Sequence, residues 1–435
     1  MPRLKPENVF RLTQSPSPLY CPIGISVITF LNITFLLFAC CIAIPSAILL
    51  LQCLLAWLPI PITTHSSVQD PLPKTTILIP AHNEIATIET TIRSLLEELG
   101  PRDNIVVVAD NCRDETASLA RAAGATVLER NDSERRGKGY ALTFGLDYLG
   151  QDDHNPEVVI IIDADCQISP GGIAILARET IARNRPLQAD YILSLPSDPS
   201  PFHVISCLAF LVRNRVRCLG LRRLGLPCHL GGTGMAFPWK ILQASKPTHD
   251  HLIEDRMMGI DMALKGHAPL YEPSVEIFSQ LPDRDDAAMS QRRRWEHGQL
   301  ASMFQVGPDL VARGIARLDL NLIVLGLDLI VPPLAFLAIV LVFSTVLAIP
   351  LFVLTRSTAA LTLVLSSGVS LGMAILLSWL RYGRHLIPTR YIWSIIPYIW
   401  KKVPLYFAFL IGKRQRGWIR TERKAEENDA QDPKT

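Results

Sequence analysis

The chain has 435 residues, of which 49% are hydrophobic and 19% charged, with a mean hydropathy of +0.25. That is too apolar for one soluble domain and too charged for a bundle of membrane helices alone, so a mixed architecture is expected: apolar runs at both ends and a middle of about 240 residues able to bury one large core. The formal net charge of +3 makes no case for nucleic acid, because the basic residues cluster beside apolar segments, at Arg292–Arg294 and over Lys413–Lys424, as membrane-surface charge does.

From the N-terminus, Pro22 to Ile62 is almost uncharged and shows no small-residue cleavage site. One retained transmembrane anchor is expected within a segment 1–62, with 34–58 as its best span. A linker over 63–74 leads into a domain expected at 75–304. Strands over 75–80, 104–109, 125–128 and 158–162 alternate there with helices near 85–99, 114–123 and 138–148. This βαβ rhythm predicts an α/β fold with a mainly parallel, Rossmann-like sheet and helices on both faces. Pro332 and Pro333 break the next apolar run, so 305–333 is expected along the membrane interface and 334–380 as two transmembrane helices. An amphipathic basic segment, 381–425, carries Lys401 and Lys402 mid-way and reads as interfacial, and 426–435 reads as a disordered tail. Nine cysteines show no metal-type spacing and fit free thiols in a reducing compartment.

The stretch VVIIIDADCQIS, Val158 to Ser169, is a buried-strand pattern that ends in two carboxylates one residue apart, Asp163 and Asp165. Hard oxygen ligands at a strand end suit Mg²⁺ or Mn²⁺ carrying a diphosphate. The same pair would also serve as a solvated turn with Asp163 capping a helix. ILIPAHNE ends its strand at Pro80 and opens a loop where Glu84 and backbone groups can hold a base or ribose. VADNCRDET repeats that form, with Asp110 able to accept a uracil imide N–H and Asp114 placed to cap a helix. In RRGKGYAL, Lys138 stands between glycines before a helix and can meet a diphosphate. GGTGMAF offers a glycine loop to a sugar ring, or simply a tight turn. Glu254 and Asp255 open a helical pattern, where acids are ordinary dipole partners. QRRRWEHG joins arginines for a diphosphate with a flat ring on which a sugar can stack, or is a positive flank of the membrane run.

In this order, ILIPAHNE, VADNCRDET, GKG, DAD, GTGMAF, IED and QRRRW resemble the membrane-embedded members of glycosyltransferase family 2, the group of cellulose, chitin and hyaluronan synthases. The resemblance covers Thr75 to Gly298 and implies a GT-A catalytic domain flanked by transmembrane helices, a UDP-sugar donor, Mg²⁺ or Mn²⁺ as cofactor, and inversion at the anomeric carbon. By position it makes Asp255 the catalytic base and assigns Pro80, Glu84, Asp110, Lys138, Asp163, Gln291 and Arg294 to the donor. It gives Asp163 and Asp165 to the metal, and Gly232, Thr233, Gly234, Glu254 and Trp295 to the acceptor. Ala109 and Ile253 depart from the pattern of processive synthases, and DRMMGIDMALKGHAPLYEPS and GWIRTER look more like shorter bacterial enzymes of surface polysaccharide and glycolipid assembly. The expectation is a multi-pass inner-membrane transferase with a cytoplasmic catalytic domain. It would extend a glycan in exopolysaccharide synthesis beside other assembly proteins, or place one sugar on a polyprenyl or other lipid. A nucleotide-sensing transporter is the reading from another class, and it fits poorly because few ionisable residues besides Asp328 lie in the apolar segments.

Overall fold

The computed structural model describes residues 22–59, 71–151, 155–245, 253–282 and 285–412. Expectations for 1–21, for most of the linker and for the basic end and tail beyond 412 lie outside the described residues.

Helix α1 (Pro22–Leu55) is one uninterrupted helix despite Pro45. The region after the linker then alternates as its apolar runs dictate. β1 (Thr75–Ala81), α2 (Ile88–Leu96), β2 (Asn104–Asp110), α3 (Thr116–Ala122), β3 (Thr126–Arg130), α4 (Lys138–Leu149) and β4 (Val158–Ile161) follow one another. The β-branched runs of β1, β2 and β4 are buried on both faces, as strands covered by helices on either side must be. Pro80 pairs with Val108 on the β2 side. Pairing of β1 with β4 ends at Leu78, so the missing N–H of Pro80 leaves no gap in that ladder.

The second half departs from a parallel pattern. β5 (Gln167–Ile168), α5 (Gly172–Arg183) and β6 (Leu187–Ser194) precede α6 (Pro201–Leu211), a π-helical turn (Val212–Val216) and α7 (Arg217–Arg223). β7 (Met235–Pro238), α8 (Trp239–Gln243), α9 (Glu254–Leu264) and β8 (Leu270–Gln280) complete the domain. The sheet runs β3-β2-β1-β4-β7-β6-β8-β5. The first four strands are parallel, β7 is antiparallel to both β4 and β6, β6 and β8 are parallel, and β5 is antiparallel to β8. Strand order reverses between β1 and β4, which opens a crevice at their carboxyl ends, where ligands collect in such sheets.

The long helix α10 (Asp285–Gln305) leaves the domain, and α11 (Gly307–Arg317) and α12 (Leu320–Ile330) form a hairpin. Leu322, Leu325 and Leu329 of α12 pack with Ile260 and Ala263 of α9, so much of the segment expected along the interface is buried on protein instead. α13 (Leu334–Thr355) and α14 (Ala359–Ser378) follow, the first starting directly after the paired prolines. Among the described residues, three helices are long and apolar enough to cross a membrane: Val27–Leu55, Leu334–Thr355 and Ala359–Gly383. The last helix, α15 (Ile395–Leu410), differs from the expectation at one point. Lys402 is not an interfacial anchor but lies 1% exposed, ion-paired with Glu296 of α10.

Candidate active site

The crevice at the β1/β4 switch gathers charged groups from four segments. Lys138, the first residue of α4, directs its ammonium onto Asp163 Oδ1 and donates to the Gly232 carbonyl at 2.7 Å. Gly137 reaches this helix start with φ +128°, a conformation that favours glycine. Burial alone would lower the Lys138 pKa, but the charge and hydrogen bond of Asp163, with Glu254 and Asp255 nearby, raise it, so the ammonium stays charged. A Cβ on Gly232 would lie 3.5 Å from Asp255 Oδ2 and 3.8 Å from Lys138 Nζ, so the Gly231–Gly232 backbone forms the wall that these two side chains share. Burial, then the neighbouring Glu254 charge, push the Asp255 carboxyl up to about 7, against the pull of Lys138. Arg294 of α10 also faces these acids: burial lowers its pKa, while Glu254, Asp163 and Asp255 oppose that shift.

Other expected residues occupy different places. Asp110 ends β2 with Oδ1 held by Arg130 Nη1 at 2.6 Å and Asn111 Nδ2 at 2.9 Å, which leaves Oδ2 for a ligand N–H. Arg130 was not foreseen; it lies opposite Asp110 in the β2/β3 register. Glu84 sits in the loop after β1, where its carbonyl accepts from Ile88 N at 3.0 Å and its carboxylate from Thr87 Oγ1 at 3.3 Å. Asp114 accepts from Thr116 N at 3.1 Å from one residue outside the cap position, which Glu115 holds, so it turns the chain into α3 and is not the cap expected of it. Two acceptor assignments need correction. Thr233 is fully buried and its hydroxyl accepts from Asp163 N at 3.1 Å, so it braces the Asp163 strand end instead of meeting an acceptor. Gly234 is packed against β8: with φ +64°, a Cβ there would fall 2.5 Å from Ile277 Cγ1.

The three consecutive arginines of α10 point into three environments, as residues about 100° apart on a helix must. Arg292 is buried, donates to the Ser206 carbonyl and lies over the rings of Phe210 and Trp295 at 5.6 and 5.5 Å. Arg293 is exposed, and Arg294 turns to the crevice. Trp295 is half-buried, 5.8 Å from the Phe210 ring, with Tyr191 packed on Phe210 at 4.9 Å. The Gln291 Oε1 is buried and without a hydrogen-bond partner among the described residues.

Residues 73–298 match the model of the family described as glycosyltransferase like family 2, over half of the chain. The chain belongs to glycosyltransferase family 2. A Bacillus subtilis protein named probable glycosyltransferase YdaM is 31% identical over 254 residues, 52% of this chain and 55% of that protein. The 4,4'-diaponeurosporenoate glycosyltransferase of Staphylococcus aureus is 36% identical over 90 residues, 21% of this chain and 23% of that protein. The matches thus span about half or less of these curated relatives. The mannosyltransferase PcManGT of Pyrobaculum calidifontis, solved with GDP-Man and Mn²⁺, superposes with TM-score 0.52 over 88% of this chain and 99% of its own, at 17% identity. That likeness is one of fold, GT-A with membrane helices.

The acids at the end of β4 fit a divalent metal. The carboxylate oxygens of Asp163 and Asp165 and the Cys166 sulfur all lie within 4.8 Å of one another. Burial, then the charges of Asp165 and Asp163, push the Cys166 thiol well up, and the two carboxylates are the hard oxygen ligands that Mg²⁺ or Mn²⁺ prefers over a soft sulfur.

Proposed function

We propose that this family 2 enzyme moves a sugar from a UDP-sugar, with inversion, to an acceptor held at the membrane, as a step in cell-surface polysaccharide synthesis. The observation that carries the reading is the Asp255 carboxyl, pushed up to about 7 and set against the Gly232 backbone beside Lys138. A group near that value can hold and release a proton at neutral pH. In the proposed single displacement, Asp255 takes the proton of the acceptor hydroxyl as its oxygen bonds to the anomeric carbon, and the bond from that carbon to the diphosphate oxygen breaks. Negative charge then grows on the diphosphate, where Lys138 and Arg294 are already aimed and need no reorganisation. Asp163 and Asp165 would hold Mg²⁺ or Mn²⁺, which supplies Lewis-acid stabilisation of that leaving group when bound. Asp110 Oδ2 and the loop from Pro80 to Glu84 would hold the base and ribose, Gln291 the diphosphate, and Gly232, Glu254 and Trp295 the acceptor side.

A second reading, one sugar placed on a lipid, draws support from the catalytic region packing directly on the membrane helices and from the relative named for 4,4'-diaponeurosporenoate. We take the catalytic domain as cytoplasmic and the membrane as the inner one. The test is radiolabelled transfer in membranes from a panel that includes UDP-sugars and GDP-mannose, with products divided into lipid-extractable and polymeric fractions. Label in polymer from a UDP-sugar is the expected result. Label confined to lipid selects the second reading, and transfer only from GDP-mannose overturns the uridine assignment.

A further inference from the structure

Where the catalytic domain meets the membrane helices lies a small polar cavity, partly open to solvent, with a volume of about 30 Å³. Its wall holds Arg213 and Asn214 of the π-helical turn, Arg217 of α7, His229, Arg256 of α9 and Asp328 of α12. Among the described residues the only acid in this wall is Asp328, and it is already engaged. Its Oδ1 accepts from Arg217 Nη2 at 2.7 Å and from Gln52 Nε2 at 2.6 Å, and His229 Nε2 lies 3.7 Å from its Oδ2. Arg217 is satisfied too, its Nε donating to Gln52 Oε1 at 2.9 Å.

Arg256 is the residue left over. It is 7% exposed and has no hydrogen-bond or ion-pair partner among the described residues. Burial brings its pKa down to about 10, with Asp328 opposing, so it remains a cation at neutral pH. Arg213 adds a second cation whose Nε is buried without a partner. A buried charge with no counter-charge is among the most costly states in a protein interior, and water entering the cavity would solvate it without neutralising it. Two spare guanidiniums around one space are the donor set that phosphate selects, through paired N–H groups in fixed forks. The π-helical turn that brings Arg213 to the wall is a distortion frequently found at functional sites.

We propose that this cavity binds an anionic group of the phosphate class, with Arg256 as its main counter-charge and Arg213 beside it. The site is separate from the donor crevice but shares its supports. Arg256 follows Asp255 on α9, Leu230 of the cavity wall precedes the Gly231–Gly232 loop, and Gln299 of the wall lies beyond Arg294 on α10. An occupant would therefore steady the helix that carries the catalytic carboxyl. The chemistry allows two sources, the phosphate monoester head of a membrane lipid or free inorganic phosphate.

Thermal unfolding of the full chain in maltoside micelles tests this without requiring turnover, so a failed transfer assay and a failed anion site give different results. The wild type and Arg256→Gln are compared in phosphate-free buffer, with inorganic phosphate, and with micelles carrying phosphatidate. The variant keeps Lys138 and Arg294, so any phosphate effect at the donor crevice is common to both proteins and cancels. We expect a rise in melting temperature in the wild type that is lost in the variant, with the variant melting at or above the wild type when phosphate is absent, because an unpaired buried charge has been removed. Stabilisation by phosphate alone identifies a soluble anion, and stabilisation by phosphatidate alone a lipid head group. An equal response in both proteins, no response in either, or a variant that melts well below the wild type in phosphate-free buffer overturns the proposal.

Discussion

At the first turn of α9, Glu254 and Asp255 differ by one methylene, yet it is Asp255 Oδ2 that the Gly232 wall approaches. If Asp255 is the base, Asp255→Asn keeps donor affinity while turnover falls about 10²-fold or more, because only proton acceptance is lost. Glu254→Gln is expected to retain measurable transfer. Donor binding and single-turnover transfer for both variants in detergent decide this, and a larger loss for Glu254→Gln would reassign the base. The shift of Asp255 to about 7 adds a pH dependence. Below that value the carboxyl is protonated and cannot accept a proton, so kcat/KM is expected to fall about tenfold per pH unit on the acid side. The folded state also holds this proton more tightly than the unfolded chain does. The stabilisation that follows is full below the ordinary value of 3.8 and is lost as pH rises through about 7, so Asp255→Asn is expected to melt above the wild type in mild alkali. A profile that stays flat between about pH 5 and pH 8 would remove Asp255 from proton transfer. That these acids open a helix was legible in the sequence pattern, whereas only the family resemblance told Asp255 from Glu254. Arg130 was not legible, since its grip on Asp110 depends on the register of β2 against β3.

Among the elements, α15 shows why a pattern of lysine and tryptophan can mislead. Its exposed side carries Ile396, Trp400, Phe407 and Leu410, the apolar face that an interfacial helix needs. Its other side carries Lys402, which pairs with Glu296, and Tyr406, whose hydroxyl donates to Glu296 Oε2 at 2.5 Å. Glu296 directly follows Trp295, so this buried pair ties the C-terminal helix to the helix that carries Arg294. Lys402→Met should cost about 3–5 kcal/mol, because it leaves the Glu296 charge buried and alone, whereas Lys402→Met with Glu296→Met should recover most of that loss. Chemical or thermal unfolding of the two variants checks it, and equal losses would mean that the pair contributes only packing. Strands β6 and β8 escaped the sequence reading for a related reason. Buried Gln188, Asp190 and Glu272 interrupt their apolar pattern, Pro273 lies inside β8, and the β6/β8 register shifts between Ala189 and Asp190. Buried polar residues that meet groups from other segments, as Asp190 meets Arg215 at 3.0 Å, look like loop in a linear pattern.

On the scale of the whole molecule, catalytic region and membrane helices share one core, in which Val204, Leu208 and Leu211 of α6 pack with residues of α1, α13 and α14. The two come close at Gly220 of α7, where a Cβ would stand 2.1 Å from the Gln52 carbonyl of α1. Because the obstacle is backbone, Gly220→Ala must push α7 off α1 and should destabilise the enzyme by about 1–3 kcal/mol, as overpacking does. An unchanged melting temperature would mean that the two helices slide freely. The same interface constrains topology. Tyr382, just past α14, donates to the Ala56 carbonyl at 2.5 Å, and Ser378 Oγ lies 3.4 Å from Cys53 Sγ, so α1 and α14 end at the same level, beside the catalytic region. If α1 crosses once and α13 and α14 cross outward and back, the domain of the eight-stranded sheet and α15 lie on one face and the turn at Ser357 on the other. The positive charge of the sequence beyond Gly412 predicts that the first face is the cytoplasmic one. Reporters at His154 and Thr435 are expected to read cytoplasm, and reporters at Met1 and Ser357 the opposite side. If Met1 and Ser357 reported from different faces, α1 would not cross the membrane once, and a cytoplasmic Ser357 would mean that α13 and α14 lie on the bilayer instead of spanning it.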